Sequence, residues 1–281
     1  MNKKRGVVLG VDIGGTNIKA GQVSGNKINQ TALVGVNPND SLETTLGSLF
    51  KVIDQLMMDT VEAIGIGVPA VVDIESGIVY DVQNIPAWKK IPLKKLIQDE
   101  FCVPVYINND ANCFLLGEKK FGKASPHSNC IALSLGTGLG MGVLINNSLY
   151  NGVLCGAGEI GMVPYLDGII EHYSGSFFFE KKYGQSAFSL YEKALTSDYV
   201  ALQAFEEYGL HLSEAIKIIL YMYAPEAIIL GGSISHSFPF FEKTLKSGLN
   251  SFAYQKQIEH LKIEKSDLVD SPLFGASALC P

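Results

Sequence analysis

Apolar positions along the chain fall into short runs closed by glycine. Val7 to Val11 is apolar apart from Gly10 and leads into Asp12-Ile13-Gly14-Gly15-Thr16; apolar alternation then resumes from Ile18 to Val23. This pattern predicts a strand, a glycine turn and a second strand. Leu46, Leu49, Phe50, Ile53, Leu56 and Met57 recur at helical spacing and predict a helix over 44–58. A strand is predicted over 63–68, ending at Pro69, and residues 71–92 read as loop with short β pieces. A short helix over 93–101, a strand over 105–107 and a helix over 111–121 follow. Asn129 to Ile145 then repeats the opening theme around Gly136-Thr137-Gly138-Leu139-Gly140. Beyond it the pattern predicts largely helix over 185–222 and a strand over 227–230. A helix over 240–249, a strand near 261–264 and a terminal helix around Gly275-Ala276 complete it. Strands alternate with helices, which sets the class as α/β. The repeated theme reads as one supersecondary unit used twice, at a spacing too irregular for a solenoid. No Pro/Gly/Ser linker separates the halves, so a boundary near residue 112 rests on the repeat alone.

Composition narrows the partners. The 281 residues carry 22 Lys and Arg against 28 Asp and Glu, for a net charge of -6, and Arg5 is the sole arginine. A nucleic-acid binder normally shows a basic face with arginines for phosphate and guanine, so no nucleic-acid partner is expected. Any phosphate must be held by backbone N–H groups, helix ends, lysine or a metal. No run of 18 apolar residues occurs, so no membrane span is expected. The basic start and the short apolar run behind it lack the form of a signal peptide. Five scattered cysteines (Cys102, Cys113, Cys130, Cys155, Cys280) with no CxxC pair fit reduced, mostly packed residues of a cytoplasmic protein.

The glycine turns carry the candidate chemistry. Turns between strands offer open N–H groups, and Thr16 and Thr137 add hydroxyls; such concavities bind anions without arginine. Lys19 lies just beyond the first turn and Gly231-Gly232-Ser233 closes a later strand. A plain pair of hairpins is the alternative reading. A dinucleotide fingerprint requires a helix after its glycines; here Met141 to Ile145 reads as strand, and no Walker A sequence occurs. Asn108-Asn109-Asp110 sits where a strand runs into a helix. That is where α/β sheets place ligands, and equally where Asp or Asn caps a helix. Glu159 lies in a glycine-rich apolar stretch, Gly156 to Gly161, and Glu171-His172 reads equally as a surface helix face.

Taken in order, several segments resemble the ROK family of sugar kinases, within the actin/hexokinase superfamily. They are Asp12-Ile13-Gly14-Gly15-Thr16, Gly65-Ile66-Gly67-Val68-Pro69, Asn84-Ile85-Pro86-Ala87-Trp88 and Asn109-Asp110-Ala111-Asn112. Gly136 to Gly140, Gly158-Glu159-Ile160-Gly161, Pro225 to Gly232 and Gly275-Ala276 continue the set. The resemblance implies two RNase H-like (actin-like ATPase) domains flanking a cleft, with residues 1–112 plus about 270–281 in the first and 113–269 in the second. It implies ATP and Mg²⁺ as cofactors and a hexose as substrate. By position, Asp110 would be the catalytic base and Asp12 would hold Mg²⁺, through water. Gly14, Gly15, Thr16, Lys19, Thr137 and Gly138 would serve the phosphates, and Gly231 and Gly232 would approach the nucleotide. Gly67, Ala70, Asn84, Asn109, Glu159 and Glu171 would line the sugar. A homodimer is the assembly the resemblance favours.

Two departures from the family pattern bear on the sugar. Met162 stands where the family usually has His, and the stretch to Glu171 holds none of the family's zinc-binding cysteines, so no zinc site is expected. A thioether cannot replace an imidazole's hydrogen bond to a hydroxyl. Ala70 stands where the family often has Gly, and His172 is a candidate to compensate at the sugar. The simplest expectation is phosphorylation of glucose at its 6-hydroxyl, with N-acetylmannosamine, fructose or a glucoside as other acceptors. A non-catalytic sugar sensor is the contrasting reading. A repressor is not expected, since six residues precede the first strand and the charge is negative.

Overall fold

The opening run folds as two antiparallel strands, as its pattern predicts. In the computed structural model, which describes residues 6–82 and 85–281, these are β1 (Val7–Ile13) and β2 (Asn17–Ser24). The chain divides into two units, the first formed by Met1–Pro126, Leu149–Ala157 and Leu268–Pro281 and the second by His127–Ser148 and Gly158–Asp267. The boundary thus falls beyond residue 112, for a packing reason described below.

The first unit continues with β3 (Lys27–Gly35), α1 (Leu42–Asp54) and β4 (Val61–Val68). A small antiparallel sheet follows: β5 (Val71–Asp73), β6 (Ile78–Tyr80) and β7 (Lys90–Ile91). Then come α2 (Leu93–Phe101), β8 (Val105–Asn109) and α3 (Asp110–Phe121). The main sheet has the order β3-β2-β1-β4-β8. Its β1, β4 and β8 are parallel, and β2 and β3 are antiparallel neighbours. Strand β3 escaped the pattern reading because it is an edge strand, mostly wet, with too few apolar positions to show a period. Helix α1 ends four residues earlier than predicted: the carbonyl of Leu56 is taken by the buried Gln22 amide at 2.8 Å.

Helix α3 belongs to the first unit because it crosses the C-terminal helix, Ser271–Ala278, at very short range. A Cβ on Gly275 would fall on the carbonyl of Cys113, and one on Gly117 would come within 2.5 Å of the Ser271 carbonyl. Only glycine permits this approach. Leu9, Val11, Ile13, Ile64, Ile66 and Trp88 are among the fully buried residues of this unit's core.

The second unit repeats the sheet. It comprises β9 (Cys130–Leu135), β10 (Leu139–Ile145), β11 (Ser148–Leu149), β12 (Pro164–Tyr165) and β13 (Gly168–Ile169). It continues with α4 (Glu171–Ser174), α5 (Ser176–Tyr183), α6 (Ala187–Leu195), α7 (Tyr199–Tyr223) and β14 (Ala227–Gly231). Helices α8 (Phe238–Gly248) and α9 (Gln255–His260) and strand β15 (Lys262–Lys265) complete it. The order β11-β10-β9-β14-β15 matches that of the first unit position for position, again with parallel β9, β14 and β15. The repeat seen in the glycine turns is therefore a repeat of the whole sheet. The predicted helical stretch 185–222 is broken once, where the Asp198 carboxylate caps α7 through the Ala201 amide at 2.9 Å.

Candidate functional site

In the first unit, register places the polar residues in one row. Asp12 lies opposite Lys19 on β2 and opposite Gly67 on β4, and Gly67 lies opposite Asn108 on β8. The row crosses the carboxyl ends of parallel strands, where open α/β sheets present ligands. Asn109 follows Asn108 and its side chain caps α3, with Oδ1 accepting from the amides of Ala111 at 2.9 Å and Asn112 at 3.4 Å. Asn109, not Asp110, is therefore the cap. The Asp110 carboxylate accepts from the Ala111 amide at 2.9 Å, its other hydrogen bonds are equally local, and it begins the helix, where the dipole favours an anion.

Both carboxyls are perturbed. Burial, with the nearby charge of Asp110 as the second cause and Asp270 as a weaker one, pushes Asp12 up to about 7 against the pull of Lys19. Burial also raises Asp110, while the Ala111 amide, its own amide and Asn109 pull it down. Lys19 is ion-paired to Asp270, at the head of the C-terminal helix. The first turn is closed by the Gly14 amide donating to the Asn17 carbonyl at 2.8 Å.

A buried amide network lies under Asp110. The Asn108 Oδ1 accepts from the Asn109 amide at 2.8 Å, from Asn112 Nδ2 at 2.9 Å and from the Cys155 thiol at 3.3 Å. Asn108 Nδ2 donates to Asn151 Oδ1 at 3.0 Å. Asn108 and Asn112 are 3% and 1% exposed, so these bonds must satisfy them, and they leave one buried atom, Asn112 Oδ1, without a partner. Asn108, Asn112, Asn151 and Cys155 had no assigned part in the sequence. Asn151 and Cys155 lie 43 and 47 residues away from Asn108, and no local spacing could reveal that meeting.

In the second unit the glycine turn 136–138 is clasped by a carboxylate. Glu171 Oε2 accepts from the Leu139 amide at 2.9 Å, and a Cβ on Gly138 would fall on that carboxylate. The Ser176 amide donates to the Gly136 carbonyl at 2.9 Å from the other side. Among the described residues, no hydrogen bond uses the N–H of Gly15, Thr16, Thr137 or Gly138. Open amides of this kind fit an anion such as a polyphosphate.

The remaining predicted residues have mixed surroundings. Gly67 is closely packed: a Cβ there would meet Cys113 Sγ at 3.2 Å and the Asp110 Cα at 3.6 Å. The Ala70 amide closes a tight turn onto the Val68 carbonyl at 2.9 Å. Gly232 has φ +80 and a Cβ there would strike the Leu135 carbonyl, so it holds β14 against β9. Gly231 ends β14 and is buried. Glu159 is exposed at the start of a single helical turn, and Met162 is exposed at its end. Asn84 lies outside the described residues. His172 packs against Phe177 with the rings tilted by 48° and their centroids 5.1 Å apart. Among the described residues no three His, Cys, Asp or Glu gather to hold a metal, and no helix is long and apolar enough to cross a membrane.

An acidic strand end in one copy of the sheet and an open glycine turn in the other define the actin-like ATPase class of α/β fold. A model of the ROK family matches residues 8–281, and the chain belongs to that family. It is 31% identical to the xylose repressor of Bacillus spizizenii, over 99% of this chain and 78% of that protein. It is 27% identical to the glucokinase of Thermotoga maritima, over 97% of this chain and 96% of that one. Among solved structures, a ROK family glucokinase from Streptomyces griseus, in complex with glucose and AMPPNP, superposes with a TM-score of 0.85. The identity is 26%, over 98% of this chain and 99% of that one.

Proposed function

We propose that the protein is an ATP-dependent hexose kinase with Asp110 as general base, its simplest substrate being glucose, phosphorylated at the 6-hydroxyl. The observation that carries this reading is the state of Asp110. It is a carboxylate released from capping by Asn109, held at a helix head and raised by burial. A base with an elevated pKa is matched to taking a hydroxyl proton near neutral pH. Asp110 would accept that proton as the sugar oxygen attacks the γ-phosphate. The rest of the acceleration would come from alignment and charge stabilisation.

The residues fit the cofactors this chemistry needs. Two mutually repelling buried carboxyls, Asp12 and Asp110, form a hard-oxygen site whose charge a divalent cation would relieve. Asp12 would hold Mg²⁺, through water, and the ion would neutralise phosphate charge during transfer. The amides of Gly15, Thr16, Thr137 and Gly138 suit the phosphates of ATP, Gly14 shapes the first turn, and Gly231 and Gly232 would lie near the nucleotide. Lys19 is engaged by Asp270, so a role at phosphate requires it to exchange partners. For the sugar, Glu171 retains Oε1, and Asn109 would offer the amide whose Nδ2 also donates to Asp110. Glu159, Gly67, Ala70 and Asn84 complete the proposed sugar set.

The similarity to xylose repressors supports a second reading, a sugar-binding protein without turnover. Mass spectrometry after incubation with Mg-ATP and a panel of glucose, fructose, N-acetylmannosamine and a glucoside separates the two. A phosphorylated product from one of them supports the kinase. Tight sugar binding with no product from any of them selects the sensor.

A further inference from the structure

Glu171 sits on an element too small to hold itself. Helix α4 has four residues, and the hairpin before it has two pairs, Pro164 with Ile169 and Tyr165 with Gly168. A single helical turn and an isolated two-pair ribbon have no independent stability in water. Their position must come from contacts elsewhere, and the structure supplies a dense set of them from one face of α7.

We propose that His211, with Tyr165 and Tyr173, forms a clamp that sets the Glu171 carboxylate against the 136–138 turn, which makes His211 a positioning residue for the site. The proposal deepens the kinase reading at Glu171 and rests on that reading only for the substrate. His211 on α7 meets the Tyr165 hydroxyl through Nδ1 at 3.1 Å. The Tyr173 ring packs on both, at centroid distances of 4.8 Å to His211 and 5.2 Å to Tyr165. Phe178 closes the cluster at 5.4 Å from the imidazole. The Tyr173 hydroxyl donates to Asp167 at the hairpin turn, so one side chain ties hairpin to helix. Tyr208, also on α7, donates to the Ser174 carbonyl at 2.8 Å and holds the far end of α4.

The imidazole is oriented from behind. Its Nε2 lies 3.5 Å from Glu207 Oε1, and that carboxylate is itself fixed by Lys182 and by the Tyr183 hydroxyl at 2.8 Å. Burial, the leading cause, holds His211 below its ordinary pKa, so near neutrality the ring is uncharged. A ring protonated at Nε2 points that N–H at Glu207 and leaves Nδ1 to accept from Tyr165. The chain of contacts then runs from Glu207 through His211 and the two tyrosines to α4. It ends where Glu171 takes the Leu139 amide.

Amide hydrogen exchange of full-length protein, followed at Leu139 and its neighbours, tests the clamp without reference to activity. His211→Ala is expected to lower protection at the Leu139 amide by about 10-fold or more, while β14 stays unchanged. The sugar KM should rise about 10-fold with kcat within about 3-fold, and His211→Ala added to Glu171→Gln should cost less than a further 2-fold. His211→Asn, whose oxygen can accept from Tyr165, should recover most of the loss. Tyr165→Phe, which keeps the ring and removes only the hydroxyl, should give a smaller loss and covers the case that His211→Ala does not fold. Unchanged protection at Leu139 in either variant overturns the clamp, as does a full multiplicative effect on top of Glu171→Gln. If wild-type protein turns over no sugar, the kinase reading falls and the exchange arm still decides the clamp.

Discussion

At Asp12–Asn17 a glycine turn opens beside one carboxylate on its own sheet, Asp12, and a second, Asp110, at the head of α3. At Leu135–Leu139 the corresponding turn has no acid on its strand and is held by one brought from 32 residues away. The two sheets share strand order, direction and the placing of the turn between their first two strands. What differs is the residue one before the end of the first strand, Asp12 in one unit and Ser134 in the other, and what meets it. In the first unit, α3 brings Asp110 to Asp12 and both carboxyls rise in pKa. In the second, Leu135 ends the strand, and Gly232 and Gly138 let backbone and Glu171 crowd the turn. Duplication of one scaffold thus yields one end suited to proton and metal chemistry and another suited to holding an anion.

The contrast can be broken at either end. The largest effect is expected at the acidic one: Asp110→Asn should lower kcat by about 10³-fold, within the range for a lost general base, with sugar affinity kept within a few-fold. Calorimetric titration with sugar is the control. Retained turnover would move the base elsewhere. At the other end, Gly138→Ala drives a methyl into the Glu171 carboxylate and should cost roughly 10-fold or more in kcat/KM for nucleotide. If nucleotide kinetics are untouched, that turn is a plain hairpin.

Stability separates the units further. Gly232→Ala adds a side chain at φ +80 against the Leu135 carbonyl and should destabilise by about 2–4 kcal/mol in chemical denaturation. A loss under about 0.5 kcal/mol would show the approach to be slack. Asp12→Asn should act the other way and depend on pH. A carboxyl raised from 3.8 to about 7 on folding keeps its proton in the native state after the unfolded chain has lost it. Its contribution therefore weakens stability as pH rises from about 4 to 7, and the full penalty, roughly 4 kcal/mol against the ionised form, applies above 7. Asp12→Asn should raise Tm by a few degrees at pH 8 and leave it nearly unchanged at pH 4. An equal shift at both would show that burial does not control this group.

Much of the first unit's acidic end was legible because its signals are local. The Val7–Val23 pattern gave both strands and the turn, and a strand running into Asn108-Asn109-Asp110 placed the candidate base. The division of labour between Asn109 as cap and Asp110 as first helical residue was not legible, since both residues favour the cap position. The glycine turn at 136–138 was equally plain, but the Glu171 clasp was not. Neither was the Lys19–Asp270 pair, formed across 251 residues. Edge strand β3 failed for another reason: a wet strand with few apolar positions carries little period. Gly232 was expected to serve a ligand and is first demanded by close packing, a need that shows only when the neighbouring backbone is in place.

A coupled ADP-release assay with Mg-ATP, run with and without glucose on wild type and Asp110→Asn side by side, tests the central claim most directly. The account predicts sugar-dependent ADP release by wild type and a loss of about 10³-fold in the variant. Equal release by the two proteins would contradict it, and release independent of sugar would show that the acidic strand end does not activate a sugar hydroxyl.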